Sequence, residues 1–241
     1  PIQVVVPRLP RIANFDDLDP LSAEPDVSVT FIAGGRALPG NADLIVLPGS
    51  KATIADLAAL RQEGWDIDIA AHLRRGGRIL GVCGGYQMLG TRISDPLGIE
   101  GPPGAVPGLG LLDIETEFGP EKTLIEAAGC DVASGAAVRG YEMHVGRTTG
   151  GGLARPMLHL AGGPEGAVSP DGRVQGCYLH GLFTSDAFRT TYLASFRSGR
   201  AGSLLWETEV ERTLDELADH LERHLDLTRL LAAAALPRCR R

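Results

Sequence analysis

The apolar run Arg78-Ile79-Leu80 passes straight into Gly81-Val82-Cys83-Gly84-Gly85-Tyr86-Gln87-Met88-Leu89-Gly90. A strand that ends in Gly-x-Cys-x-Gly and turns at once into a helix is the cysteine form of a nucleophile elbow. The glycines allow a sharp backbone turn, so the sulfur sits on a corner and not in the core. The helix start aims N–H groups at that corner, where they stabilise negative charge. Cysteine is more often a small buried hydrophobe than a nucleophile. Here the flanking glycines give up packing and helix propensity, which a core position does not require. The nucleophile reading of Cys83 is therefore preferred.

A strand feeding such a turn belongs in an α/β sheet, and the preceding segments agree. Ile2–Val6, Val27–Ile32, Asp43–Leu47 and Arg78–Val82 are short apolar runs ended by Pro or Gly. Between them lie two expected helices, 50–60 with Ser50 as its cap, and 67–73, stopped by Gly76-Gly77. Strands alternating with helices predict a doubly wound, mostly parallel, flavodoxin-like sheet with chemistry at its carboxyl edge. The Gly- and Pro-rich stretch 98–110 reads as a surface loop. Further strands are expected at 110–118, 139–145, 157–160 and 173–179, partly antiparallel, and a helix at 186–196. Trp206, Val210, Leu214, Leu217, Leu221 and Leu225 recur at helical spacing and predict one long amphipathic helix. Residues 1–200 are read as one domain, with 201–241 as a helical extension packed on it and 237–241 as a frayed tail.

With 241 residues, a net charge of −7 and no Lys/Arg run, the chain does not read as a nucleic-acid binder. No apolar stretch is long enough to cross a bilayer and no signal-peptide pattern occurs, so a cytoplasmic location is expected. Cys83, Cys130, Cys177 and Cys239 lack metal-ligand spacing and suggest no disulfide framework.

His180, in Gly176-Cys177-Tyr178-Leu179-His180-Gly181, follows a strand-like run and is the preferred partner base. His144, in Gly140-Tyr141-Glu142-Met143-His144-Val145-Gly146, lies within a strand; it and Tyr141 are assigned supporting roles. Pro48-Gly49-Ser50-Lys51 closes a strand and opens a helix. It is no P-loop, since the upstream glycine is missing and Lys follows Ser. Its N–H groups can still hold an oxyanion, or it is simply a strand–helix turn. His220 and His224 stand one turn apart without a third ligand, and a solvated helix face explains them; no metal site is expected.

Together the elbow, the Pro48-Gly49 loop and the late strand ending in His180 resemble class I (triad-type) glutamine amidotransferase domains. The stretch Leu9-Pro10-Arg11-Ile12-Ala13-Asn14-Phe15-Asp16-Asp17-Leu18-Asp19-Pro20-Leu21, the segment 140–147 and Tyr178-Leu179-His180-Gly181-Leu182-Phe183 are similar to the C-terminal half of the cobyric acid synthase family. The resemblance implies a glutaminase in which Cys83 attacks glutamine and His180 shuttles protons. It implies that the N–H groups of Gly84 and of Gly49 or Ser50 hold the oxyanion and that Gln87 helps hold the substrate. In the family, the ammonia serves an ATP-dependent synthetase half that amidates adenosylcobyrinic acid a,c-diamide, a corrinoid. ATP and Mg²⁺ are expected only there, and no cofactor in this domain. Most class I members have a Glu two residues after the histidine; here Leu182 stands at that position, so a Cys–His dyad with a weakly oriented imidazole is expected. No Walker A sequence occurs, and with Pro1 at the start a domain separated from a two-domain enzyme is expected. The glutaminase subunit of a lipid II isoglutaminyl synthase, a non-catalytic amidotransferase-like module, or a DJ-1-like or dienelactone-type hydrolase are the competing readings.

Overall fold

In the computed structural model, residues 1–197, 199–200 and 204–234 are described. They fall into two compact units, Pro1–Ser203 and Leu204–Arg241. The expected frayed tail at 237–241, and Cys239 with it, lie outside the described residues.

The first unit is built on a six-stranded sheet whose order, in residue terms, is 167–168, 174–177, 78–82, 44–47, 2–7, 27–32. All neighbours are parallel except the edge pair 167–168 with 174–177. The central strands 2–7, 44–47 and 78–82 read as largely apolar runs because both faces are buried. Val4 and Val6 point to one side, into a core with Leu18, Leu21, Phe183, Phe188 and Leu193. Val5, between them, points to the other, with Leu57, Leu60, Trp65 and Ile69 of the helices Thr53–Gln62 and Trp65–Arg74. The predicted doubly wound arrangement is thus present, with the helix Asp186–Ala194 on the first side.

A second, seven-stranded sheet is mainly antiparallel and centres on the long pair Glu115–Asp131 and Ala137–Thr149. The expected strand at 110–118 begins only at Glu115 and runs on to Asp131. Along residues 119–126 it is largely exposed on both faces, so it lacks the apolar alternation that marks a strand in sequence.

Three local expectations need correction. Residues 98–110 are not wholly a loop: Gly104–Pro107 pairs antiparallel with Arg92–Asp95. The buried Asp95 carboxylate accepts N–H bonds from Ile99 (2.7 Å) and Glu100 (2.8 Å), ordering the turn that the Gly/Pro composition concealed. Ser50 is not the helix cap, which falls at Ala52. Tertiary pairing claims Ser50 instead, because Gly49–Ser50 forms a two-residue antiparallel ladder with Ile12–Ala13. The run 173–179 splits at Tyr178. Val174–Cys177 belongs to the parallel sheet, while Leu179–His180 crosses into the second sheet and pairs with Tyr141–Glu142. That switch carries His180 to the carboxyl edge beside the elbow.

The second unit contains the helix Trp206–His224, whose leucines form one stripe and which contains no buried residue, followed by Leu227–Ala233. Among the described residues no helix is long and apolar enough to cross a membrane.

Candidate active site

The elbow is a steric construction. Cys83 takes φ 52° and ψ −110°, a backbone region unfavourable for a side chain-bearing residue and typical of strained functional turns. Gly81, Gly84 and Gly85 around it leave room for the turn because they have no side chains. A Cβ on Gly85 would lie 2.0 Å from the Leu47 carbonyl oxygen, and one on Gly81 would lie 2.7 Å from the Gly85 backbone. The helix Gly84–Leu89 can therefore press against the sheet directly after the turn.

The Cys83 N–H donates to the Cys177 carbonyl at 2.8 Å, tying the elbow to the strand that leads to His180. His180 is 1% exposed. Its Nδ1 donates to Asp17 Oδ2 at 2.7 Å, and the Cys83 side chain stands close enough to the ring to act on its charge. The predicted sulfur–imidazole meeting is thus made at one sheet edge.

The expected dyad gains a third member. Asp17, also buried, holds the ring at Nδ1 and accepts the Gly181 N–H with its other oxygen at 2.7 Å. Two bonds to one carboxylate fix both the ring and the backbone that carries it. Leu182, where a Glu is usual, is buried among apolar residues and takes no part. The orienting acid comes from the opposite end of the chain, and sequence reasoning missed it. Asp16, Asp17 and Asp19 stand together in Asn14-Phe15-Asp16-Asp17-Leu18-Asp19, and no local signal separates them. Burial would lower the His180 pKa, but the bonds to Asp17 and Cys83 and their charges outweigh it and push it up to about 10. The ring therefore keeps its proton at neutral pH.

Tyr141 lies against this ring, stacked on His180 with centroids 5.2 Å apart, and its phenol accepts from Asn14 Nδ2 at 2.7 Å. The predicted supporting role thus has a contact. His144 stacks on Tyr178 instead, with ring centroids 3.7 Å apart. Burial holds its pKa below the ordinary histidine value.

The residues predicted to hold the oxyanion lie close to one another and to His180. A Cβ on Gly84 would lie 3.0 Å from the Ser50 N, and one on Gly49 would lie 3.2 Å from the His180 ring. Buried Asp56 anchors this loop by accepting from the Ser50 hydroxyl (2.7 Å) and the Arg11 N–H (3.1 Å). Burial pushes the Asp56 carboxyl up in pKa, against those two bonds. The Met143 carbonyl lies 3.4 Å from Cys83 Sγ, placing an acceptor where an amide N–H could approach the sulfur.

Gln87, read as a substrate-holding residue, stands one turn into the elbow helix. Its amide is buried and occupied by the protein: Oε1 accepts from Thr53 Oγ1 (3.1 Å), and Nε2 donates to the Val145 carbonyl (3.1 Å) and the Tyr178 phenol (3.2 Å). Gln87 thus ties the elbow helix to the loop helix and the long strand. Thr53 and Tyr178, which sequence reasoning did not single out, complete that net. Among the described residues no group of three His, Cys, Asp or Glu side chains is placed to hold a metal ion.

The arrangement is a candidate nucleophile, a proton-holding imidazole and an orienting carboxylate beside the backbone of Gly49, Ser50 and Gly84, which suits acyl transfer. Two solved structures share the fold. One described as the structure of PurLQS from Thermotoga maritima covers 79% of this chain and 98% of its own, with a TM-score of 0.58 and 17% identity. Another, described as a crystal structure of glutamine amidotransferase, has a TM-score of 0.56 and 16% identity, over 81% of this chain and 98% of its own. In sequence, the chain is 57% identical over 97% of its length to a cobyric acid synthase of Methylocella silvestris, covering 49% of that protein. It is 58% identical, again over 97%, to a cobyric acid synthase of Paracoccus denitrificans, covering 48% of it. The chain thus spans about half the length of the curated relatives it matches. Residues 3–188 match the model of the CobB/CobQ-like glutamine amidotransferase domain, and the chain belongs to that family.

Proposed function

We propose that this chain is the glutaminase portion of a cobyric acid synthase. The observation that carries the reading is the Cys83–His180–Asp17 alignment, set beside the N–H groups of Gly84 and of Gly49 or Ser50. Cys83 Sγ attacks the side-chain carbonyl carbon of glutamine as the thiolate, paired with the protonated His180. The tetrahedral oxyanion rests on the facing N–H groups. His180 then protonates the departing nitrogen, the C–N bond breaks, and ammonia leaves a thioester on Cys83. Water, deprotonated by His180, attacks the thioester and releases glutamate. Asp17 keeps Nδ1 protonated throughout, so Nε2 is the nitrogen that exchanges protons.

The ammonia serves a synthetase half of the kind present in the longer relatives. That half would consume ATP with Mg²⁺ and amidate adenosylcobyrinic acid a,c-diamide, the corrinoid substrate. High identity over nearly the whole chain to proteins named cobyric acid synthase supports this choice over a peptidoglycan-amidating complex. The experiment combines the chain with a relative's synthetase half and measures glutamate release, corrinoid amidation and labelling by a glutamine-directed electrophile. Labelling confined to Cys83, with glutamine-dependent amidation of the corrinoid, is the expected result. Labelling of Cys130 or Cys177 at the same rate, or amidation of another carboxylate only, overturns the reading.

A further inference from the structure

The stretch 91–112 grips both helices that frame the candidate site. Arg92–Asp95 and Gly104–Pro107 form a small hairpin in it. Just past the hairpin, the N–H groups of Leu109, Leu111 and Gly110 donate to the carbonyls of Met88 (2.8 Å), Leu89 (2.9 Å) and Gly90 (2.8 Å). They close the end of the six-residue elbow helix, whose last carbonyls find no partner within so short a helix. The same stretch holds the helix Thr53–Gln62 at both ends. Arg61, in its last turn, donates to the Pro107 and Gly108 carbonyls, both at 2.8 Å. At its start, Glu100 Oε2 accepts the Ile54 N–H at 3.2 Å.

Glu100 supplies what the local sequence lacks. The helix begins after Ala52, which has no side-chain oxygen to receive the first free N–H groups. A carboxylate 46 residues away from Ile54 does so instead, at the positive end of the helix dipole. Asp95 fixes the turn that carries it by accepting the N–H groups of Ile99 (2.7 Å) and Glu100 (2.8 Å). Burial raises the Glu100 pKa, so its charge stands there at a desolvation cost.

The helix start that Glu100 holds abuts the elbow. Thr53 Oγ1 donates to Gln87 Oε1 at 3.1 Å. A Cβ on Gly84 would lie 3.1 Å from Thr53 Oγ1, besides its closeness to the Ser50 N. Ser50 is bound to the same helix start, since its hydroxyl accepts the Ala52 N–H at 3.0 Å. A shift of this corner would therefore reach Ser50 and Thr53 together, beside the residue that follows the nucleophile.

We propose that Glu100 is a positioning residue for the glutaminase reaction: by clamping the start of the 53–62 helix, it holds the Ser50–Thr53 corner against Gly84 of the elbow. The inference rests on the glutaminase reading. The Ser50 N–H is among those assigned to the oxyanion, which forms only in the transition state, so the effect falls on kcat. Gln87 keeps its bonds to Val145 and Tyr178 without Glu100, so KM should change little.

The test measures glutamate release, with a relative's synthetase half added, for the parent chain, Glu100→Ala, Glu100→Gln and Arg61→Ala. The temperature is one at which circular dichroism shows every variant folded. Glu100→Ala should lower kcat by about 10-fold with KM within about 2-fold. Glu100→Gln keeps an oxygen for the Ile54 N–H and should recover about half of the parental kcat or more. Arg61→Ala frees the far end of the same helix, so it should lower Tm while leaving kcat within about 2-fold. Parental kcat in Glu100→Ala, a loss confined to KM, no recovery in Glu100→Gln, or an equal kcat loss in Arg61→Ala overturns the proposal and leaves the glutaminase reading standing. Absence of glutamate release from the parent chain overturns both.

Discussion

Two segments meet at the Cys83–His180 pair, and they differ in how they are specified. The elbow, Gly81 to Leu89, is constrained by its own covalent neighbours: glycines stand where any Cβ would strike backbone. The segment Asn14–Leu18 delivers Asp17 through a short 3-10 helix that has no side-chain cap. Nothing in its local sequence demands that the second of its acids face a histidine carried by a distant strand. The difference shows that a reactive corner can be written locally by steric exclusion. An orienting group needs only a polar atom in the right place, which any passing loop can supply.

That contrast can be attacked from both sides. Cys83→Ala should have the largest effect, a loss of glutamate release on the order of 10⁴-fold or more, with the unfolding midpoint nearly unchanged. A variant that still turns over glutamine at an appreciable rate would remove the elbow from the chemistry. Asp17→Asn should come next, with a fall in kcat between about 10² and 10⁴-fold, because an amide no longer enforces the Nδ1–H tautomer. If that variant retains parental kcat, the carboxylate is only a structural partner of His180 and Gly181.

Gly85→Ala tests the steric half of the comparison. The added methyl meets Leu47 backbone rather than a movable side chain tip, so a destabilisation of about 3 kcal/mol or more is expected in denaturant titration. A cost under about 1 kcal/mol would mean that the elbow tolerates a side chain despite the close Leu47 backbone.

The pH dependence of stability separates the two segments more finely. His180 has its pKa raised in the fold, so the native state binds the extra proton between the ordinary histidine value and about 10. Its contribution is fully present below pH 6.5 and is lost as pH rises through about 10. Urea unfolding should therefore show stability falling across that window, with a shallower fall in Asp17→Asn. Identical slopes in parent and variant would show that Asp17 does not hold the proton. The smallest effect expected is from Asn14→Ala, which removes the bond to the Tyr141 phenol and should cost about 1 kcal/mol. That loss should leave kcat within a few-fold, provided the stacking of Tyr141 on His180 survives.

The parallel sheet was readable because strands buried on both faces must be apolar throughout, and Val4, Val5 and Val6 satisfy both sides at once. Residues 119–126 were not readable, because exposure on both faces removes the alternation. Cys83, Gly49, Ser50 and Gly84 were legible as parts of strand-to-helix turns. The protein partners of the Gln87 amide were not, since Thr53, Val145 and Tyr178 are each brought in by a different element.

The amino-acid order alone determined where the chain bends sharply, which faces must be covered and which sulfur stands on a corner. These follow from sterics and hydrophobicity acting over a few residues. Tertiary structure alone decided that Asp17, and not Asp16 or Asp19, grips His180. It likewise decided that the Gln87 amide meets Thr53, Val145 and Tyr178. Such pairings depend on how strands cross between two sheets, and a hydrogen bond requires positions fixed to a few tenths of an ångström, which no local pattern encodes.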